Sequence, residues 1–326
     1  MSLDNWKSLL AIDPVKVLLT AKDPILTALV RRDLLDENIQ LVPDNNEIKQ
    51  IIKRQQPDGS WKFKSKSVAL YPSINHDLVE TFKSFRILVG KYEMDRSDSA
   101  VAKCAAYVFS CQTAEGDIRG ILGRQYMPYY CGLLLELLIR AGYANDDRVE
   151  TAMNWLAGQR QKDGGWVVPL QTVKVNKLDN ATYAADPVRA DENLSSSHQA
   201  TGMALRAFAV HPVYKNSGVA KKAGELLKSR ILKPDKYNDR KTPEYWIKFQ
   251  YPYWWNTLLS SLDTLYSIGF TLKDKDIEKG IEWFLTHQDN SGLWPTKFDK
   301  GEKEKVALNK MWIAYDICRI LKLYFS

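Results

Sequence analysis

The segment Gln55-Gln56-Pro57-Asp58-Gly59-Ser60-Trp61 returns three more times in altered form, each time closing a stretch whose apolar residues recur at helical spacing. The later copies are Gln112-Thr113-Ala114-Glu115-Gly116-Asp117, Arg160-Gln161-Lys162-Asp163-Gly164-Gly165-Trp166 and Gln288-Asp289-Asn290-Ser291-Gly292-Leu293-Trp294. Self-similarity at so long a period means stacked units, because one helical hairpin cannot bury its inner face alone. The motif glycines lie roughly fifty to sixty residues apart, and the interval from Gly164 to Gly292 is about double. One degenerate copy is therefore required between them, and it falls near Leu232 to Trp246, where the Gln and Gly are lost.

No sustained two-residue alternation interrupts the helical periodicity, so the chain reads as all-α. Asn45 to Gln55, Ser97 to Cys111, Asp146 to Arg160, Val219 to Ile231 and Asp274 to Gln288 mix charges with one apolar stripe, the pattern of an outward helix. Ile74 to Gly90, Tyr126 to Gly142, Ser195 to His211, Pro252 to Gly269 and Val306 to Tyr324 carry far fewer charges and read as inward helices. Five hairpins emerge, and Trp6 to Asn38 supplies one or two further helices. The expected architecture is an α/α toroid of about five to six helical hairpins, with residues 1–44 packed on a toroid of residues 45–326. At the motif, Gly suits a left-handed cap, Gln can satisfy loose backbone groups, and the aromatic pins the loop to the next repeat.

The chain has 326 residues, more than one core usually holds, and the repeats favour an array over two separate domains. Its net charge of +7 is spread among acids rather than gathered in a block, which argues against nucleic acid as a partner. Cys104, Cys111, Cys131 and Cys318 form no Cys-x-x-Cys pair and read as free thiols of a cytoplasmic protein. The most apolar segment, Tyr126 to Ile139, is too short to cross a bilayer and contains Pro128, Gly132 and Glu136.

Gln-x-x-Asp-Gly-x-Trp at the ends of outward helices resembles the repeat of the terpenoid cyclase and protein prenyltransferase superfamily, and the resemblance implies an α/α toroid around a cavity for an apolar or isoprenoid-like ligand. Gln55 to Trp61 matches fully; Arg160 replaces the first Gln of the third copy, and Ser291 the Asp of the fourth. The catalytic signatures of that superfamily do not carry over. The strings closest to Asp-x-Asp-Asp, Asp274-Lys275-Asp276-Ile277 and Asn145-Asp146-Asp147, begin outward helices, where acids serve as caps. Asp316-Ile317-Cys318 has the Asp-x-Cys spacing of a zinc site, but no His follows it and residues two apart on a helix diverge. Neither a metal nor a cofactor is expected.

Candidate catalytic residues are Asp263, Asp316, Glu136 and His198. Asn256, Ser260, Asp263 and Ser267 follow spacings of four, three and four, and Asn309 and Asp316 repeat the seven-residue interval of Asn256 and Asp263. Two carboxylates from neighbouring helices would shift each other's pKa and hold a proton for acid catalysis; the structural alternative pairs them with Arg319 or Lys310. Glu136 is the lone charge between Tyr126 and Ile139 and needs either a partner such as Arg140 or a proton. His198 opens an inward helix after the long connection Val167 to Leu194, which suits a lid. Candidate ligand-binding residues are Asp77, from a shorter polar stripe with Thr81 and Ser84, together with Asn256 and Asn309. Tyr129, Tyr130, Tyr253, Trp254 and Trp255 join them, because aromatic faces stabilise cations and also line apolar or sugar sites. Three functions fit: a cyclase-like protein acting on a small apolar ligand, a noncatalytic binding or scaffold toroid, and a carbohydrate-active α/α barrel.

Overall fold

The computed structural model of the protein describes residues 5–65, 67–237, 241–296 and 302–326. These residues are all-α, and besides helices they carry the isolated bridges Gln55–Trp61, Gln112–Ile118 and Gly120–Gly123. In chain order the helices are α1 (Pro14–Leu18), α2 (Pro24–Leu29), α3 (Asn46–Lys53), α4 (Ser67–Leu70), α5 (His76–Gly90), α6 (Ser99–Ser110) and α7 (Pro128–Leu138). They continue as α8 (Asp147–Gly158), α9 (Asn180–Ala184), α10 (His198–Val210), α11 (Gly218–Ser229), α12 (Leu258–Ser267), α13 (Lys275–Thr286) and α14 (Lys303–Phe325). Wider turns, Val30–Leu34 and Ile139–Tyr143, extend α2 and α7.

The ten helices expected from periodicity are all present, and capping chemistry sets several of their ends. Asn45 is not in α3 but caps it, its Oδ1 accepting from the Ile48 amide at 2.9 Å. A larger trim falls on the inward helix expected from Pro252. Thr257 and Ser260 form a reciprocal capping box, which delays α12 to Leu258 and leaves Asn256 outside it. Burial follows the division into charged and uncharged helices: α3 buries Ile48 and Ile51, whereas every residue of α10 from His198 to Ala209 is buried.

The described chain divides into two compact units. In the first, residues 43–227 and 235–237, α7 packs against α5, α8 and α10. Gly132 permits the α7–α10 approach: a Cβ there would stand 2.6 Å from the Ala204 Cα. In the second, residues 5–42, 228–234 and 241–326, α14 packs against α1, α12 and Val30–Leu34, and α12 also against α13. No helix among the described residues is long and apolar enough to cross a membrane.

One turn geometry serves all four motif copies. Gly59, Gly116, Gly164 and Gly292 have φ of 89°, 105°, 102° and 80°, a left-handed conformation that a side chain disfavours. At Gly59 a Cβ would also fall 2.0 Å from the Lys103 carbonyl oxygen of the following outward helix, so the turn is fitted to its neighbour. The Gln side chain makes that junction. Gln55 Nε2 donates to Gly59 O at 3.1 Å and to Ala100 O at 2.8 Å, and Gln112 Nε2 donates to Gly116 O and Arg148 O, both at 2.8 Å.

The aromatic works differently from expectation. Its indole turns back to its own outward helix: Trp61 Nε1 donates to Ile51 O and Trp166 Nε1 to Leu156 O, both at 2.8 Å, and Trp294 Nε1 to Phe284 O at 2.7 Å. The aromatic thus ties the loop to the helix it ends, and the Gln reaches the next repeat. In the degenerate copy, Trp246 Nε1 donates to Lys233 O at 2.7 Å, so the indole anchor survives where the Gln and Gly do not; residues 238–240 of that copy lie outside the described residues.

Candidate functional site

The second unit brings Asp263 of α12 and Asp316 of α14 onto one guanidinium. Arg319 Nε and Nη2 reach Asp316 Oδ1 at 2.8 and 2.7 Å, and Nη2 also reaches Asp263 Oδ1 at 2.9 Å. Tyr253, in the segment leading into α12, donates its phenol hydrogen to the other Asp316 oxygen, Oδ2. Helical spacing accounts for part of this: Asp316 and Arg319 stand three apart and share a face of α14. The α12–α14 packing supplies the rest.

Charge determines the state of the cluster. With both acids ionised, two negative charges would face one positive charge, and the Asp316 side chain is only 1% exposed. Burial is the largest influence on Asp316; with Asp263 beside it, it pushes the carboxyl above the usual aspartate range, against Arg319 and the Tyr253 hydrogen bond. Burial also opposes the charge on Arg319, but Asp263 and Asp316 outweigh it and hold the guanidinium well above its ordinary value. The Tyr253 phenol is pushed well up by burial and by the two carboxylates, so it stays neutral and donating. Arg319 is 28% exposed and connects this interior group with solvent.

An aromatic group adjoins the cluster through Tyr253. Tyr251 stacks on Trp312 with centroids 5.2 Å apart and meets Tyr253 and Tyr315 edge-on at 6.1 and 6.3 Å. Trp312 and Tyr315 are held by acids of the N-terminal segment, Asp23 at 3.1 Å and Asp33 at 2.5 Å. Trp254 and Trp255 stack on each other at 5.5 Å. Asn256 and Ser260 do not continue a polar helix stripe with Asp263: Asn256 Oδ1 accepts from Ser261 Oγ at 2.7 Å, and Ser260 belongs to the capping box. Asn309 lies half-buried on α14.

The remaining candidates lie in the first unit and form separate groups. Glu136 of α7 does pair with Arg140, at 3.1 Å, and more closely with Arg206 of α10, at 2.6 Å. Arg206 is legible by the criterion that singles out Glu136, a lone charge in an apolar helix. His198 begins α10 with its Nδ1 3.6 Å from Asp235 Oδ2. The same carboxylate oxygen accepts from Ser197 Oγ at 2.7 Å and the Gln199 amide at 3.0 Å, so Asp235 closes the helix start. Asp77 holds Lys62 at 2.5 Å and the Phe63 amide at 3.0 Å, and Thr81 accepts the Trp61 amide at 3.0 Å, so this stripe receives the motif loop. Tyr129 and Tyr130 pack on each other at 4.8 Å, and Tyr130 meets Phe82 edge-on. The long connection after Val167 is latched by Gln125, whose Nε2 donates to Thr182 O at 2.7 Å and Ala185 O at 3.2 Å and whose Oε1 accepts from the Val188 amide at 3.0 Å.

No protein-family model matches the chain, and no curated protein matches it. Among solved structures, a protein from Actinoplanes is similar over 96% of this chain and 88% of its own, at 13% identity and a TM-score of 0.45. The type II terpene cyclase MstE from Scytonema, solved in its apo form, is similar over 85% of this chain and 98% of its own, at 13% identity and a TM-score of 0.32.

Proposed function

We propose that this is a terpenoid cyclase-like protein that binds an apolar, isoprenoid-like molecule and protonates it from Asp316. The observation that carries the reading is the sharing of one guanidinium by two carboxylates, one of them 1% exposed, which raises the proton affinity of Asp316. In the step proposed, the Asp316 O–H bond breaks and its proton forms a C–H bond with an alkene carbon, using the π electron pair. The resulting carbocation is attacked by a second alkene, which closes a ring, and the final cation loses a proton to water. Solvent returns a proton to Asp316. Arg319 and Tyr253 hold the aspartate anion left behind, and the aromatic faces near it favour the cation.

The test is incubation of the full chain with squalene and with geranylgeranyl diphosphate in deuterated water, followed by mass spectrometry. Cyclic products carrying one deuterium, lost at least about 100-fold in Asp316→Asn, are expected. A second reading, a noncatalytic binding protein, is favoured by the fact that Arg319 pairs with both acids. It predicts that a lipid copurifies equally with wild type and Asp316→Asn and that neither turns anything over.

A further inference from the structure

The long connection between α8 and α10 leaves the body of its unit and returns to it at one place. At its start Pro169 and Leu170 are buried, and at its end Gln161 Nε2 donates to Asp191 O at 2.6 Å and to Leu194 O at 2.9 Å. The Asp191 amide donates in turn to Thr172 Oγ1 at 3.0 Å, so the two ends are tied to each other. Residues 173–190 lie between these anchors, a longer stretch than loops with little secondary structure usually reach. The short helix within it, α9, buries no residue, and Val173 and Leu178 are 38% and 54% exposed. Apolar burial is therefore not what holds α9 down.

Polar groups hold it instead. Gln125, itself 1% exposed, donates from Nε2 to Thr182 O at 2.7 Å, Ala185 O at 3.2 Å and Asp186 O at 3.3 Å, and its Oε1 accepts from the Val188 amide at 3.0 Å. The Arg124 amide donates to Tyr183 O at 2.8 Å, and Ser73 donates from its amide and its hydroxyl to Asn180 Oδ1 at 3.1 and 2.7 Å. An edge-on contact of Tyr183 with Tyr71, at 5.9 Å, adds to these. The receiving turn is shaped for the strand of backbone it carries: a Cβ at Gly123 would stand 2.4 Å from Tyr183 O. Water can take up each of the polar groups that undocking releases, so lifting α9 costs far less than opening the helices beneath it.

We propose that residues 173–190 are a lid that swings as one unit from the tie between Thr172 and Asp191, with Gln125 as its latch. Closed, it docks on residues 73–75, which lead into α5, and on residues 120–125, which lead toward α7. Opening frees the approaches to two inward helices that pack on each other. Because one side chain fastens backbone groups from Thr182 to Val188, release at Gln125 frees the whole segment rather than a single residue. The device does not depend on the chemistry proposed for Asp316.

The experiment is amide hydrogen exchange of the full chain, read residue by residue by NMR. The Ser73, Arg124 and Val188 amides donate across the docking contact to three different acceptors and so report its opening. The three are expected to share one opening constant and to exchange at least about 100-fold faster than the amides inside α7 and α10. Asn180→Ala changes only a half-buried side chain of the lid, and it should speed exchange at Arg124 and Val188 at least about threefold, as well as at Ser73. Asn180 bonds to Ser73, so an effect on the other two must pass through the lid as a whole. Gln125→Ala should speed Ser73 and Arg124 likewise, while unchanged exchange inside α7 and α10 shows that the body stays folded. Arg124 and Val188 unmoved in Asn180→Ala, or all three amides as slow in wild type as those inside α7 and α10, would overturn the proposal.

Discussion

Gln288 and Ile12 exchange two hydrogen bonds across nearly the whole chain: Ile12 N donates to Gln288 Oε1 at 3.0 Å, and Gln288 Nε2 donates to Ile12 O at 2.8 Å. Gln288 Nε2 also donates to Gly292 O at 3.0 Å, so the last motif copy treats the N-terminal segment as the first two copies treat the next outward helix. The segment preceding α1 thus takes the place of a following repeat. Substituting Gln288→Ala should cost about 0.5–1.5 kcal/mol from the lost hydrogen bonds, since water reaches the freed Ile12 groups. Urea denaturation of the variant reads the loss directly, and an unchanged midpoint would show that the N-terminal segment is only loosely attached.

Gly132 and Gly158 should respond in opposite directions to the same substitution. A Cβ at Gly132 meets the Ala204 Cα at 2.6 Å and its carbonyl oxygen at 3.0 Å, backbone atoms that cannot rotate aside. Gly132→Ala should therefore destabilise by about 1–3 kcal/mol through overpacking of α7 on α10. Gly158 ends α8 with nothing within 4 Å of a Cβ, and Gly158→Ala should stabilise by about 0.5–1 kcal/mol. Thermal melts of both variants check the pair.

His211 should make the protein less stable in mild acid. Its Nε2 faces Ala144 O at 3.1 Å, and Nδ1 lies 3.2 and 3.3 Å from the Val213 and Tyr214 amides, which donate to it; the neutral ring meets all three demands. Protonating Nδ1 would leave both amides facing a donor. Burial is the main cause that lowers its pKa below the ordinary histidine value, against the Ala144 carbonyl and Glu150. Because the unfolded chain takes up the proton first, stability is lost as pH falls through the ordinary histidine range near 6.5. His211→Gln keeps a donor and an acceptor without that titration, so the stability gap between wild type and variant should change from pH 7.5 to pH 5.5; a gap independent of pH would contradict the assignment.

Periodicity exposed the all-α class, the ten main helices and the motif turns because each rests on local chemistry: apolar stripes, Asn and Thr caps, glycines forced to positive φ. It also brought Asp263, Asp316 and Arg319 into one argument, since spacing along a helix and the pairing of neighbouring helices are both readable in a repeat. What sequence alone could not supply was the partner across a helix interface. Glu136 is drawn to Arg206 of α10 as well as to the local Arg140, and the choice depends on the close approach that Gly132 allows. The spacing of Asn256 fits a helix, but the capping box that opens at the next residue, Thr257, outranks periodicity. The indole hydrogen bonds were misdirected for a related reason: spacing says which residues share a face, not which carbonyl a side chain can reach.

The proton held by Asp316 is the claim on which the proposed chemistry rests. Carboxyl carbon-13 NMR on protein labelled at aspartate, with the resonance assigned by its loss in Asp316→Asn, measures that proton directly. The account predicts a carboxyl that titrates clearly above the ordinary aspartate value of about 3.9, together with stability that falls as pH rises through that transition, because the folded state keeps the proton longer than the unfolded chain. A resonance already ionised at or below that value, with no such loss of stability in wild type relative to Asp316→Asn, would leave Asp316 a plain ion-pair partner of Arg319.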